Sequence, residues 1–374
     1  MPIATSLDLL ADTHEQQTKL SKIPLSNGTN RQESTIIPPV VPLKPRLRSK
    51  STRACRVIDF EQITNCSSMK QHTLTNFENE KWLAMASSNE YILVGGGCSS
   101  TLRLFDLQGN ELRSIDIKTF AAFDLAWSNL LNCFLISGYD SLQTYNVEKD
   151  QLTQVDNLNL VNKKDTYFWS IACHKFVEEF QYKRKTKDVF HQTFFVFSSD
   201  LFVVLSDGLE SVWRLSLPTF ERTQTLSGSD IREDNTDDRI SCIRTNGYSI
   251  GMTLRQQRTN QWRIDLFDYM TMTRTHRGLT IGYGIGGFNF TERCMLTALN
   301  DHQWLAVGGY KVQPNALTLL DDRTGEIKQI ERQTNQQQEF ISNLSSNEIN
   351  KQHSINMIVM NNQTGQRQIH VLQV

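Results

Sequence analysis

YILVGGGCSSTLRLFDLQGNELRSIDI, residues 91–117, contains three short strand-like segments separated by two turn-forming sequences. Tyr91–Val94 is an apolar run that stops at three consecutive glycines. Thr101–Asp106 alternates apolar and polar side chains, as a half-buried strand does. Gln108-Gly109-Asn110 then precedes a third alternating segment, and Gly and Asn tolerate the positive φ of a tight hairpin turn. The stretch therefore predicts three antiparallel strands with short connections.

Weaker copies of this stretch follow it along the chain. Its second strand ends in Phe105-Asp106, and Tyr145-Asn146 takes the same place 40 residues later. Phe267-Asp268 repeats the aromatic-Asp pair. The step from Asn146 to Ser216 is 70 residues, so this section is either one unit with an insertion or one complete and one degenerate unit. Outside the N-terminal region, no window of about 11 residues has a convincing helical period, which predicts an all-β fold.

The aromatic-Asp strand ends and the 40-residue step resemble those of WD-repeat and YVTN-type β-propellers, over about residues 56–374. No unit carries the Trp-Asp or Gly-His pairs of strict WD repeats, so the resemblance is to a divergent propeller. The 299 residues after Thr75, at roughly 43 residues a blade, predict seven blades, with six as the alternative. The last unit lacks its final strand, and residues 69–75 have the form of that strand. We therefore expect N- and C-terminal strands to close the ring in a shared blade, which leaves no open edge.

Residues 1–52 differ in composition from the propeller domain, which we assign to residues 53–374. Six of the eight prolines lie in this N-terminal segment, and Phe, Trp and Tyr are absent from it. Such a segment buries too little apolar surface to offset its conformational entropy, which predicts a disordered tail.

Two features of the tail suggest contacts with other molecules. Pro39, Pro42 and Lys44 fit the P-x-x-P-x-basic pattern of ligands for Src-homology-3 type domains, with a plain linker as the alternative. Residues 44–53 (KPRLRSKSTR) carry five basic groups and three hydroxyl residues. This segment is a candidate nuclear signal, phosphorylation site or tether to an acidic surface, and a solvated linker is again the alternative.

Charge and cysteine content limit the classes of partner and compartment. The chain has 39 Lys and Arg and 40 Asp and Glu, so its net charge of −1 predicts no strong attraction to nucleic acid or membrane. It shows neither a signal-peptide pattern nor an apolar run of the roughly 18 residues that a membrane span needs. Seven cysteines without a C-x-x-C pair indicate reduced thiols. We expect a cytoplasmic protein, with a nuclear location through the basic tail as the alternative, and a monomer outside its complexes.

The sequence predicts no catalytic, cofactor-binding or metal-binding residue, and no cofactor. It has no G-x-S-x-G motif, and its histidines lack metal-ligand spacing. The glycine-rich residues 282–287 lack the Lys-Ser/Thr of a P-loop and are predicted to form an inter-blade loop. The propeller resemblance keeps one enzymatic alternative open. Six-bladed lactonase-like propellers hold a divalent metal with scattered Glu, Asn and Asp in the central channel, so a metal-dependent hydrolase is the second hypothesis.

Two charged loops are the candidate partner contacts, because propeller loops gather on the two faces of the ring. One lies within residues 183–187 and is basic, and the other lies within 227–238 and is acidic. The candidate residues are Lys183, Arg184, Lys185 and Lys187 in the first loop and Arg232, Glu233, Asp234, Asp237 and Asp238 in the second. The predicted function is that of a non-catalytic scaffold that presents rim loops to partner proteins, although both segments are equally typical of solvated loops.

Overall fold

The computed structural model describes the chain in segments, all within the compact unit Ala54–Val374. The residues that it leaves undescribed are 1–57, 59–62, 64–69, 76, 78–79, 81, 98, 118–120, 140, 157, 159–165, 182–192, 207–210, 232–237, 257–260, 279, 284–292, 308–315, 332–338, 350–351 and 362. The predicted tail, with Pro39, Pro42 and Lys44, therefore lies outside the described residues.

The described residues form 25 strands in six antiparallel sheets, which are the blades of a β-propeller. Strand β1 (Lys70–Leu74) belongs to the last blade. Blade 1 contains β2 (Leu83–Ser87), β3 (Tyr91–Gly96), β4 (Thr101–Asp106) and β5 (Glu111–Asp116). Blade 2 contains β6 (Asp124–Ser128), β7 (Cys133–Ser137), β8 (Leu142–Asn146) and β9 (Gln151–Gln154). Blade 3 contains β10 (Tyr167–Gln181), β11 (Thr193–Ser206), β12 (Ser211–Ser216) and β13 (Glu221–Leu226).

The second half of the chain completes the ring. Blade 4 contains β14 (Asp238–Thr245), β15 (Ser249–Gln256), β16 (Gln261–Asp268), β17 (Arg274–His276) and β18 (Thr280–Tyr283). Blade 5 contains β19 (Met295–Ala298), β20 (Gln303–Val307), β21 (Ala316–Asp321) and β22 (Glu326–Glu331). Blade 6 contains β23 (Glu339–Ile349), β24 (Gln352–Asn361) and β25 (Arg367–Gln373), together with β1. A single helical turn, α1 (Gly228–Ile231), precedes β14. Among the described residues, no helix has the length and apolar character to span a membrane.

The innermost strand of each blade lines a central channel. These strands are β2, β6, β10, β14, β19 and β23, and each contacts the next around the ring, with β23 contacting β2. Strands β2 and β23 run in the same direction. The side-chain amides of Asn343 and Asn347, in that order along β23, donate to the carbonyls of Leu83 and Ser88 in blade 1. We call the face where these strands begin the top face and the face where they end the bottom face.

The resemblance to WD-repeat propellers is confirmed at the level of the fold, because each blade is built on a four-stranded antiparallel meander. The prediction of seven blades is wrong, and the alternative of six is correct. The predicted number of blades was too high because of blade 3, where β10 and β11 pair continuously out to Gln181 and Thr193. The strands predicted separately at 179–182 and 193–197 are thus the distal part of one long hairpin, so the 70-residue step is a single blade.

The predicted closure by the two ends of the domain is confirmed. Strand β1 pairs antiparallel with β25, in a register that runs from Lys70–Val371 to Leu74–Arg367. Leu74 is buried in an apolar cluster that includes Phe77 from the N-terminal side and Ile369 from the C-terminal side. The last sheet is therefore complete only when both ends of the domain are in place.

The aromatic-Asp pairs that mark the strand ends have a structural role. The carboxylate of Asp106 accepts hydrogen bonds from the backbone N–H groups of Gln108 and Asn110 in the turn that follows. Asp268 does the same for Met270 and Thr271. The acidic group therefore satisfies backbone donors that the tight turn leaves without a ladder partner, as Asx turns do.

Blades 3 and 4 are joined by a largely buried polar cluster. Arg214 Nη2 donates to Asp200 Oδ2 at 2.7 Å, and the hydroxyl of Tyr269 donates to the same oxygen. The ring of His174 is stacked on that of Tyr269, with 3.7 Å between their centroids. Burial lowers the pKa of His174 to about 4, so this imidazole is neutral in the folded protein over most of the pH range.

The closing strand gives the first prediction. We expect Leu74→Ala to lower the free energy of unfolding by about 2–5 kcal/mol, because it removes a buried side chain that joins the two ends of the domain. Urea denaturation measures the change. Thr73→Ala, on the exposed side of the same strand, serves as the control and should change stability by no more than about 0.5 kcal/mol. Equal effects of the two substitutions would contradict closure through β1.

The buried imidazole gives a prediction on pH. Between its unfolded value of about 6.5 and its folded value, the unfolded chain binds a proton at His174 that the folded protein does not, so stability falls as pH falls through this window. His174→Phe keeps the stack on Tyr269 and removes the titration. We expect the variant to gain up to about 3 kcal/mol relative to the wild type between neutral pH and about pH 4. Urea denaturation of both proteins at several pH values measures this difference, and parallel pH profiles would refute it.

Candidate functional site

A buried carboxylate lies at the centre of the channel. Asp124 begins the innermost strand of blade 2, and its side chain is fully buried. Its Oδ2 accepts hydrogen bonds from Ser170 Oγ at 2.5 Å and from the backbone N–H of Ile171 at 3.1 Å, both on the innermost strand of blade 3. Its Oδ1 accepts from the N–H of Leu125 at 2.9 Å. Asp124 therefore ties blade 2 to blade 3 from inside the channel.

Arg244 reaches the same carboxylate from blade 4. Its Nη1 and Nη2 donate to the two oxygens of Asp124 at 2.8 and 2.9 Å, and Nη1 also donates to the carbonyl of Ile171. This bidentate geometry is the strongest form of ion pair between side chains. Burial opposes both charges, but their mutual attraction prevails: the pKa of Asp124 is lowered and that of Arg244 is raised. The pair is therefore ionised, and three consecutive blades are joined through it.

Other polar side chains link the innermost strands around the ring. The Oγ of Ser170 accepts from the N–H of Ile243, which joins blades 3 and 4. The Oγ of Ser241 accepts from the N–H of Cys294, which joins blades 4 and 5. Three of the innermost strands contain a β-bulge at this level, at positions 169, 241 and 342. A bulge re-aims the side chains beside it, and here these side chains bond to the next blade.

A second arginine crosses the channel above the ion pair. Arg293 precedes the innermost strand of blade 5, and its Nη1 donates at 2.6 Å to the carbonyl of Phe123 in blade 2, on the opposite side of the ring. Its guanidinium lies 3.7 Å from the ring centroid of Trp169 and 5.8 Å from that of Trp82. Burial lowers the pKa of Arg293 to about 10, so the side chain is still a cation at neutral pH.

Five aromatic rings form a cluster at the top mouth of the channel, and two of them, Trp82 and Trp169, contact Arg293. We call Trp82, Phe123, Tyr139, Tyr167 and Trp169 the aromatic cluster. Phe123 is its centre, with ring centroids of the other four at 4.7 to 5.9 Å. Tyr139 also packs edge-to-face on Tyr167 at 5.4 Å and is 48% exposed, whereas Phe123 is 3% exposed. Tyr139 is therefore a surface aromatic side chain held in place by two buried or half-buried rings.

The bottom mouth of the channel is a polar cavity of about 490 Å³. It is lined by residues from all six innermost strands and the turns that follow some of them, with Asn89, Asn129 and Asn347 among its polar side chains and Arg244 on its inner side. Arg244 and Asp124 neutralise each other, so this cavity has no strong charge of either sign from its inner end.

The described channel residues do not form the metal site that the hydrolase alternative requires. Asp124 is held by Arg244, and Asn343 donates to the carbonyl of Leu83 and accepts from the N–H of Leu344. In the described segments, no three His, Cys, Asp or Glu side chains lie close enough together to hold a metal ion. Oxygen ligands that already serve a guanidinium or the backbone are poor candidates for a divalent cation.

Eight of the nine residues predicted as partner contacts are in parts of the chain that the structure does not describe. Lys183, Arg184, Lys185, Lys187, Arg232, Glu233, Asp234 and Asp237 all lie outside the described residues. Asp238 is the first residue of β14 and so belongs to a strand, not to the acidic loop. Gly282 and Tyr283 likewise lie in strand β18, and residues 284–287 of the glycine-rich segment are outside the described part of the chain.

Sequence reasoning missed Asp124, Arg244 and Arg293, although the chain contains a signal for them. Asp124 lies in FDLAWS and Arg244 ends ISCIR, both short segments of otherwise apolar or small residues on innermost strands. A charged side chain in such a segment must be paired inside the protein. The signal becomes useful once the innermost strand of each blade is known.

Among known proteins, the chain is similar in fold to a solved β-propeller structure. No family profile and no curated protein sequence matches the chain. One solved structure to which it is similar is the β-propeller domain of Cps50 (Swd1) from Myceliophteria thermophila. The two share 8% sequence identity with a TM-score of 0.46, and the similarity covers 80% of this chain and 98% of the other.

The central ion pair gives the next prediction. We expect Arg244→Met to lower the free energy of unfolding by about 3–5 kcal/mol, because it leaves the Asp124 carboxylate buried without its cation. Denaturant unfolding measures the loss. Arg222→Met is the matched control, since Arg222 is an exposed arginine stacked on Trp213 at 4.8 Å, a contact worth about 0.5–1 kcal/mol. A loss at Arg244 no larger than at Arg222 would contradict the role assigned to the pair.

Proposed function

We propose that this chain is a non-catalytic β-propeller that binds a partner protein through its top face, with the aromatic cluster as the anchor. The observation that carries the proposal is Tyr139. It is 48% exposed at the surface, yet its ring is fixed by edge-to-face contacts with Phe123 and Tyr167. A rigid tyrosine loses little conformational entropy on binding, and Tyr, Trp and Arg are the residues that dominate protein interfaces.

The chemistry of the channel supports a binding role over a catalytic one. Asp124 is the acidic group at its centre, and its two oxygens are engaged by Arg244, Ser170 and backbone N–H groups. A general acid or base needs a pKa near the working pH, whereas the pKa of Asp124 is lowered from its usual value. The described channel therefore holds its charged groups in fixed structural pairs.

The rim loops at 183–187 and 232–237 remain predicted contacts in this proposal. They carry charges of opposite sign, and charged rim residues set the rate of encounter and the specificity more than the affinity. The affinity in our proposal comes from the aromatic cluster.

The test compares two exposed tyrosines on opposite faces. Tyr139 lies on the top face, and Tyr248, 55% exposed in the turn between β14 and β15, lies on the bottom face. We expect Tyr139→Ser to reduce capture of the partner by about tenfold or more, as loss of an interface hot spot does. Tyr248→Ser should leave capture unchanged. Affinity purification from cells with quantitative mass spectrometry measures both.

Both variants must first show the melting temperature of the wild type, so that loss of binding is not loss of folding. Partners that are lost with Tyr248→Ser and retained with Tyr139→Ser would move the interface to the bottom face. Capture that neither substitution changes would exclude the aromatic cluster as the anchor.

A further inference from the structure

The channel holds more positive than negative charge above its bottom cavity. Arg293 lies at the top and Arg244 one level below it, and among the described residues Asp124 is the carboxylate that acts on the pKa of each. The nearby thiol of Cys242 is neutral at pH 7, because burial raises its pKa. Both oxygens of Asp124 are bonded to Arg244. Arg293 therefore shares this one carboxylate with Arg244, and within the described structure it forms no hydrogen bond to it.

Arg293 also lacks hydrogen-bond acceptors for part of its guanidinium within the described structure. Its Nη1 donates to the carbonyl of Phe123, but its Nε and Nη2 are buried and have no acceptor within the described structure. The residue is 6% exposed, so water does not replace those bonds freely. A buried guanidinium with two unused donor groups is costly, because each donor has lost its hydration.

Arg293 and Arg244 both carry a guanidinium group, but Arg293 contributes less to the stability of the fold. Arg244 completes an ion pair that joins three blades, whereas within the described segments Arg293 makes one hydrogen bond and two contacts with aromatic rings. A buried cation with so few partners carries a desolvation cost that its contacts do not offset. The position of Arg293 is thus better explained by a ligand than by folding.

We propose that Arg293 and the aromatic cluster form an anion-binding site at the top mouth of the channel, and that this site takes a carboxylate carried by a partner polypeptide. The guanidinium fork offers two parallel donors, which match the two oxygens of a carboxylate. The walls are the rings of Trp82, Phe123, Tyr139 and Trp169, which suit an apolar or aromatic side chain beside the acid. This inference rests on the proposed function and names the chemistry of its partner.

Entry of the ligand requires a movement within the aromatic cluster. Nε and Nη2 of Arg293 are covered in this structure, and Tyr139 is the exposed member of the cluster. We expect Tyr139 and Phe123 to shift together when the carboxylate binds, with the edge-to-face packing between their rings retained. Trp82 and Trp169 lie against the guanidinium, so their fluorescence should report the event.

The experiment titrates the full chain with three probes and follows tryptophan fluorescence. N-acetylphenylalanine carries an aromatic ring and a carboxylate, its amide is the neutral counterpart, and inorganic phosphate is a free anion. We expect the acid to bind about tenfold or more tightly than the amide, as a charge-assisted hydrogen bond provides. Arg293→Met should abolish this preference, and Arg222→Met, which removes a guanidinium from another tryptophan, should retain it.

Three results would overturn the proposal. Equal affinity for acid and amide would exclude recognition of a carboxylate. Binding of phosphate that depends on Arg293, without binding of the acid, would point to a free anion as the ligand. A fall in the melting temperature of Arg293→Met as large as that of Arg244→Met would assign Arg293 to the structure of the channel.

A conservative variant covers the case in which Arg293→Met does not fold. Arg293→Lys keeps the cation and loses the fork, so the preference for acid over amide should fall without disappearing, and an unchanged preference would argue against bidentate binding. The proposed function is judged separately. A partner that Tyr139→Ser loses and Arg293→Met retains in full would refute the anion site and leave the top-face interface standing.

Discussion

The propeller depends on how its innermost strands hold one another, and the bond between Asp124 and Arg244 is the strongest of these contacts. The strands of adjacent blades share no backbone ladder across the channel. Side chains must therefore set the spacing between blades, and in an apolar interior a polar group without its partner is expensive. Asp124 meets this constraint by accepting from blade 3 and pairing with blade 4. These contacts hold blades 2, 3 and 4 in a fixed arrangement around the channel.

Two arginines at neighbouring levels of the channel differ in what surrounds them. Arg244 has a carboxylate and two carbonyl oxygens within reach. Arg293 has one carbonyl and the faces of Trp82 and Trp169. Local departures from full satisfaction of buried polar groups are expected at functional sites more than elsewhere. This contrast is our reason for placing the binding site at the top mouth and not at the polar cavity on the bottom face.

Local pattern predicted the elements that depend on neighbouring residues. The strands of blade 1 and the turn at Gly109 follow from alternation and turn chemistry. The pairing of β1 with β25 was predicted differently, from the strand that the last unit lacked. The blade count could not be predicted in the same way, because a continuous hairpin such as β10–β11 and two shorter strands have the same alternation. Its length is set by pairing between strands, which a single strand does not encode.

The charged residues of the channel could not be predicted from the sequence for a related reason. Asp124, Arg244 and Arg293 come from blades 2, 4 and 5, and nothing in their local sequence shows that they meet. The charged loops drew attention because runs of charge are visible in a sequence. Single charges within apolar strands carry more information about a site, but only once the strand has been placed against the channel.

The pairing of β1 with β25 also determines when the domain can complete its folding during synthesis. Lys70 and Val371 are paired although almost the whole domain separates them in sequence. The closing sheet therefore forms late, and the entropy cost of closing this long loop arises in the last step of folding. A ribosome has made five blades before the sixth exists. Until then β1 lacks its partner β25, and the innermost strands of blades 1 and 5 lack their contacts with β23. Nascent chains of this kind expose apolar surface to other chains until the ring closes.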